Sequence, residues 1–297
     1  MSRILVTGAG GFIGTNVIHA LSIRSNVHVT ALDVKFLHGR MDASNVEYIL
    51  QNAMDHVYDR YDVIIHLAAA AGLRDSDNRP NFFMENNVML THHIFQSVQT
   101  HNPTCRIVFA SSSSVYGDHP NDDEQELQGE PKNVYALSKR MCEDVAAYYR
   151  TRHGIDSVAL RFFTVYGPFD RNTMAIGRFA HQLRTKQPVR IFGDGHQRRD
   201  FTHVDDVVNV IVHCTFYTTP HHVYNVGAGT STSLLELVKM MSDILNIEPV
   251  SIIYETGHPA DVRTTQATNT KVLCSVPTLN GFVPLHTGLQ KYLFPTS

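Results

Sequence analysis

Tyr135 and Lys139 stand four residues apart in Tyr135-Ala136-Leu137-Ser138-Lys139, and on a helix that spacing puts both side chains on one face. An ammonium beside a phenol stabilises the phenolate, so the pair offers a base that works near neutral pH. Upstream, in the same order along the chain, lies a serine-rich segment, Ser111-Ser112-Ser113-Ser114-Val115-Tyr116-Gly117. Near the start, Val6-Thr7-Gly8-Ala9-Gly10-Gly11-Phe12-Ile13-Gly14 spaces Gly8, Gly11 and Gly14 three apart. Such glycines let the backbone turn tightly and approach a pyrophosphate, whose charge meets the N–H groups that open a helix. Asp33 closes the next apolar run, about 20 residues beyond Gly14. A carboxylate there accepts hydrogen bonds from both adenine-ribose hydroxyls and repels a 2′-phosphate, which reads as NAD rather than NADP. Taken singly, each motif has an ordinary structural reading, a glycine turn or an amphipathic helix with a half-buried tyrosine. Their shared order carries the chemical one.

These side chains need strands and helices to hold them. Continuous apolar runs at residues 3–7, 27–32, 61–68, 106–111 and 157–163 read as buried strands. Helical patterns at 12–24, 82–100 and 133–153 separate them. Strand–helix alternation at this spacing predicts an α/β fold, a Rossmann-type doubly wound parallel sheet with right-handed crossovers. Ligands of such a sheet sit beyond the carboxyl ends of its strands, and the motifs fall just after strands. The second half is less regular, with helices expected at 173–186, 205–218 and 233–245 and a return to the sheet near Tyr224. The expected organisation is a cofactor domain over 1–165, its sheet completed by segments near 200–230, interleaved with a smaller mixed α/β substrate domain over 166–297. Residues 118–130 hold six carboxylates and read as an exposed acidic loop.

The 297 residues are 43% hydrophobic and 18% charged, with a formal net charge of −3, which excludes a disordered chain and argues against nucleic acid or an anionic membrane as partner. Cys105, Cys142, Cys214 and Cys274 form no CxxC pair and read as reduced thiols of an intracellular protein. The histidine pairs His92-His93 and His221-His222 lack metal-site spacing, so no metal is expected. With no secretory leader and no apolar run of about 20 residues, a cytoplasmic protein is expected.

Together the glycine loop, His66-Leu67-Ala68-Ala69, the serine segment and Tyr135/Lys139 resemble the extended short-chain dehydrogenase/reductase family of NAD-dependent epimerases and dehydratases. Asn87, Arg199-Asp200-Phe201-Thr202, Asp205-Asp206, Tyr224-Asn225-Val226-Gly227 and Pro259-Ala260-Asp261-Val262 extend the likeness over essentially the whole chain. The resemblance implies NAD on the N-terminal sheet and a nucleotide sugar in the C-terminal part. It implies that Gly8, Gly11, Phe12, Ile13, Gly14, Asp33, Asn52, Ala53, Leu67, Ala68, Ala69, Asn87, Tyr135, Lys139 and Phe162 surround the cofactor. Tyr135 would be the base, Lys139 would bind the nicotinamide ribose, and Ser112 or Ser113 would hydrogen-bond the sugar hydroxyl beside Ser114. Arg199 would meet the diphosphate and Asp261 the nucleotide ribose.

Ala71-Gly72-Leu73-Arg74 and the run from Arg161 to Ala175 are most similar to UDP-glucuronate 4-epimerases. That likeness assigns Arg74 to the substrate and gives Thr164 and Arg171 the sugar carboxylate, a sound pairing of hydroxyl and guanidinium with an anion. The chain departs from that pattern at Phe169-Asp170, Asn52-Ala53 and Leu90, and in the short segment between Asp33 and Tyr61. The reaction implied is epimerisation at C4 of UDP-glucuronate through a transient 4-keto sugar, and a homodimer is implied too. A UDP-hexose 4-epimerase, a UDP-glucuronate decarboxylase and a nucleotide-sugar 4,6-dehydratase are the alternatives. The last carries Asp-Glu where this chain has Ser113-Ser114. A silent NAD-binding regulator is the non-enzyme alternative, against which the intact Tyr135/Lys139 pair stands.

Overall fold

Each short apolar run pairs with a neighbour far along the chain, and together they make one parallel sheet. The computed structural model describes residues 1–118, 129–170, 174–259 and 261–295. Its first half contains β1 (Ser2–Thr7), α1 (Phe12–Ser22), β2 (Val27–Asp33), β3 (Val46–Leu50), β4 (Val63–His66), α2 (Leu73–Ser76), α3 (Pro80–Phe83), α4 (Leu90–His101), β5 (Arg106–Ser112), α5 (Val134–His153) and β6 (Ser157–Phe162). The second half adds β7 (Thr164–Tyr166), α6 (Ala175–Arg184), β8 (Val189–Phe192), β9 (Arg198–Arg199), β10 (Phe201–His203), α7 (Val204–Phe216) and β11 (Val223–Val226). After these come β12 (Thr232–Ser233), α8 (Leu234–Leu245), β13 (Ile252–Glu255), α9 (Thr270–Ser275) and α10 (Leu285–Leu293). The main sheet runs β11-β6-β5-β4-β1-β2-β3, parallel throughout.

Both faces of this sheet are covered, which is why its central strands are apolar without alternation. All residues of β4 and β6 are buried. Val17, Ile18 and Leu21 of α1 and Val207 and Ile211 of α7 close one face. Ile94, Phe95 and Val98 of α4 with Cys142, Ala146 and Tyr149 of α5 close the other. A separate core lies in the second half, where Phe179, Leu183, Leu237, Met241 and Leu289 pack together. Strand order reverses between β1 and β4, so a crevice opens beyond their carboxyl ends. Thr7, Asp33, His66, Ser112, Phe162 and Val226 end their strands on that edge.

Three local outcomes differ from the sequence expectation. The strand expected over 61–68 is only four residues long: Leu67 N–H makes the last ladder bond to Thr7 O at 3.1 Å, and the next N–H, that of Ala68, goes instead to the Thr7 side chain, Oγ1, at 3.3 Å. The helix expected over 82–100 divides into α3, a π-helical turn at Met84–Met89, and α4. Strand β3 was not anticipated, since its half-exposed edge position leaves no buried run to read. Arg171 and most of the acidic loop expected at 118–130 lie outside the described residues.

Candidate active site

The glycine loop between β1 and α1 is shaped by contacts that exclude side chains. Gly8 has φ +71°, and a Cβ there would fall 2.6 Å from Ala68 N. A Cβ on Gly14 would fall 2.1 Å from Gly8 O, and one on Gly10 2.0 Å from Lys35 O. Gly11 differs, since a Cβ on it would meet only Gly8 O, at 3.3 Å. It is the N-cap of α1 and supplies no side-chain cap, so the first helical N–H groups, those of Phe12 and Ile13 among them, open towards the crevice. The steric demand thus falls on Gly8, Gly10 and Gly14, and Gly10 was not singled out by the sequence spacing. The cradle fits a dinucleotide: close-packed glycines bring backbone donors to an open helix start, where a pyrophosphate is favoured. Asp33, half-buried, accepts from Gly10 N–H at 2.9 Å and Lys35 N–H at 3.2 Å, which fixes its carboxylate beside the loop.

The floor of the crevice is held by a hydrogen-bonded row. Ala68 N–H donates to Thr7 Oγ1, Thr7 to His66 Nδ1 at 2.9 Å, His66 Nε2 to Thr91 Oγ1 at 3.2 Å, and Thr91 to Cys142 Sγ at 3.3 Å. This order assigns the His66 proton to Nε2. Burial, reinforced by the Lys139 charge, lowers the His66 imidazole to about 3, so it is neutral. Asn87, in the π-helical turn and 1% exposed, accepts from Ala70 N–H at 2.7 Å and donates to Ala70 O at 3.2 Å and Ser138 Oγ at 2.8 Å. It ties the Leu67-Ala68-Ala69 segment to α5; a π-turn at such a point is a common device for aiming one side chain. Asn52 is exposed and caps a 3₁₀ turn by accepting from Met54 N–H at 3.0 Å, with Ala53 buried behind it. Phe162 is buried at the end of β6.

Tyr135 and Lys139 occupy the first turns of α5, whose N-cap Asn133 accepts from Ala136 N–H at 2.8 Å. Lys139 is 5% exposed, and its Nζ donates to Ala110 O at 2.9 Å, two residues before Ser112 on β5. Tyr135 is half-buried and meets Phe83 edge-on, with ring centroids 6.3 Å apart. Ser112 caps the 3₁₀ turn Ser113–Tyr116, its Oγ accepting from Ser114 N–H at 3.2 Å and Ser114 Oγ at 2.9 Å. α5 packs against both β5 and this turn. A phenol, an ammonium and a hydroxyl cluster therefore share the carboxyl edge of the sheet, and together they can take up and return a proton at a bound alcohol.

From the second half, Thr164 begins β7 with its N–H on Asp200 O at 2.9 Å. Arg199 on β9 donates to Arg198 O at 2.8 Å. The segment carrying Asp261 is laced to β9 by Arg198 N–H to Arg263 O at 2.9 Å and Thr265 N–H to Arg198 O at 3.1 Å, which brings Asp261 and Arg199 into one region. Arg74 falls on α2. Asp200, fully buried, organises this side by accepting from Ala228, Gly229 and Ala267 N–H groups at 2.8, 2.8 and 3.0 Å and from Thr202 Oγ1 at 3.2 Å. Burial pushes its carboxyl up against these four donors. The sequence motif contained Asp200 but gave it no role. Among the described residues no group of three His, Cys, Asp or Glu could hold a metal ion, and no helix is long and apolar enough to cross a membrane.

Known proteins are similar to this chain in both sequence and fold. The chain is 32% identical over 82% of its length, and 82% of the relative's, to a Bacillus subtilis protein described as an uncharacterized UDP-glucose epimerase, YtcB. MoeE5, solved in complex with UDP-glucuronic acid and NAD, matches at 32% identity and a TM-score of 0.86, covering 98% of this chain and 97% of that one. UDP-glucuronic acid 4-epimerase from Bacillus cereus, in complex with UDP-glucuronic acid and NAD, matches at 28% identity and a TM-score of 0.87, covering 98% of each chain. A family model spans residues 4–227, from within the glycine-loop strand β1 to just past β11 of the main sheet, and by that match the chain belongs to the NAD dependent epimerase/dehydratase family.

Proposed function

We propose that this chain is an NAD-dependent 4-epimerase of UDP-glucuronate, giving UDP-galacturonate. The observation that supports it most is near full-length likeness, in sequence and fold, to proteins solved with UDP-glucuronic acid and NAD, in a chain that keeps Tyr135, Lys139 and the Ser112 turn on one edge. Residues 1–165 with β11 form the cofactor part in this reading, and 166–297 contribute most of the sugar-nucleotide part. Bound NAD would supply the hydride chemistry at C4 of the sugar, and this chain's residues would hold it in place for that exchange. Gly8, Gly11, Phe12, Ile13 and Gly14 hold its pyrophosphate, Asp33 the adenine ribose, and Lys139 the nicotinamide ribose. Asn52, Ala53, Leu67, Ala68, Ala69 and Phe162 line its rings, with Asn87 fixing the alanine segment from behind.

Tyr135 removes the 4-hydroxyl proton as the phenolate and returns it when the new hydroxyl forms. Ser112 and Ser113, with Ser114, orient that hydroxyl. Arg199 binds the diphosphate and Asp261 the uridine ribose. Thr164, Arg171 and Arg74 are assigned to the sugar, and the hydroxyl–guanidinium pair Thr164/Arg171 to its carboxylate, a pairing that would restrain loss of CO2 from the 4-keto sugar. A cytoplasmic homodimer completes the reading. Leu137, Met141 and Tyr148 on α5 with Met89 before α4 present exposed apolar side chains that a second copy would cover. Comparing kcat/KM for UDP-glucuronate and UDP-glucose tests the substrate assignment: a preference of at least about tenfold, 1.4 kcal/mol, for the acid supports it, and a preference for the neutral sugar refutes it.

A further inference from the structure

Lys139 and Glu143 stand one turn apart on α5, a spacing at which lysine and glutamate ordinarily pair. Here they do not. The ammonium of Lys139 goes to Ala110 O, whereas Glu143 enters a buried network on its other side. Glu143 Oε1 accepts from Ser111 Oγ and from Arg161 Nε at 2.9 Å, and Oε2 accepts from Arg161 Nη2 at 2.7 Å. Arg161 Nη1 donates to Tyr116 OH at 2.7 Å, and Tyr116 donates to Asn225 Oδ1 at 2.8 Å. The ion pair is nearly enclosed, with 3% of the Arg161 and 8% of the Glu143 side chain exposed. An enclosed carboxylate must have a cation. Two lie within its reach, and the planar fork of Arg161 satisfies both oxygens where an ammonium could satisfy one.

We infer that Arg161 is a positioning residue for the proposed proton transfer: by occupying both oxygens of Glu143 it keeps the Lys139 ammonium on Ala110 O, on the helix face that also carries Tyr135. The inference rests on reading Tyr135 as the base and Lys139 as its cationic neighbour. The titratable groups around Lys139 are His66 on β4 and Tyr135, Cys142 and Glu143 on α5, with Arg161 of β6 behind Glu143. His66 is neutral and burial pushes the Cys142 thiol up, so Glu143 is the anion that competes for the ammonium.

Ultraviolet difference titration of the cofactor-free protein, taking as Tyr135 the phenolate signal that Tyr135→Phe loses, reads this directly. The acid limb of kcat for the UDP-sugar reaction provides a second readout. Arg161→Met moves both to higher pH by about one unit, because Lys139 turns to the uncovered carboxylate. Arg161→Met/Glu143→Gln brings both back. Arg161→Lys moves them the same way by less, and serves as the test if Arg161→Met does not fold. A titration that stays in place in the Arg161 variants, or stays displaced in the double variant, overturns the inference. Lys139→Met separates the two readings. If it too leaves the titration in place, the reading of the base fails; if it moves the titration and the Arg161 variants do not, only this inference falls.

Discussion

At the scale of residues, Tyr135 and Lys139 share one face of α5, and the cofactor floor behind them is held by the neutral groups Thr7, His66 and Thr91. Tyr135→Phe keeps the ring and its contact with Phe83 but removes the proton acceptor, so turnover falls by roughly 10²–10⁴ while the protein stays folded. Steady-state kinetics beside a thermal melt checks this. His66 supplies a pH dependence of stability. Its folded value, about 3, lies below the ordinary 6.5, so on acidification the unfolded chain takes a proton that the folded chain refuses. Stability therefore carries no penalty from His66 above 6.5 and falls as pH drops from 6.5 towards 3. Between pH 7 and pH 5 this one group removes about 2 kcal/mol. Urea unfolding across that interval should show a slope that His66→Gln flattens; equal slopes would contradict the assignment.

At the scale of elements, the glycine loop and the π-helical turn show what could and could not be read in advance. Gly8, Gly14, Asp33, Tyr135 and Lys139 were legible because their spacing is local, one turn or one strand–helix unit at a time. Gly10 was not, since its requirement comes from Lys35 O, a neighbour brought by β2. The two kinds of glycine separate experimentally. Gly14→Ala and Gly10→Ala drive a Cβ to about 2 Å from a backbone oxygen and destabilise by at least about 2 kcal/mol. Gly11→Ala leaves the fold intact and weakens NAD binding, as denaturant melts and cofactor titration of the three variants would show. The π-turn was illegible for a related reason: Asn87 joins Ala70 to Ser138, partners 17 and 51 residues away. Asn87→Ala removes the partner of the half-buried Ala70 N–H and of the buried Ser138 hydroxyl and costs about 2 kcal/mol, measurable by the same melts.

At the scale of the whole molecule, alternation of strand and helix gave the parallel sheet, while the network Glu143–Arg161–Tyr116–Asn225 spans β6, α5 and β11 and has no signature in any one segment. The apolar side chains left on α5 make a prediction about assembly. Sedimentation of the purified protein should give a dimer, and Met141→Asp with Tyr148→Asp should give a folded monomer; a wild-type monomer would contradict that part of the reading. The reaction itself is read on the sugar. Proton NMR of UDP-glucuronate incubated with the protein and NAD tests it most directly, because the C4 proton reports its own configuration. A 4-epimerase gives a second set of sugar signals, those of UDP-galacturonate, growing to equilibrium with no loss of CO2. A pentose, a keto-deoxy sugar, or unchanged UDP-glucuronate under conditions that convert UDP-glucose would contradict it.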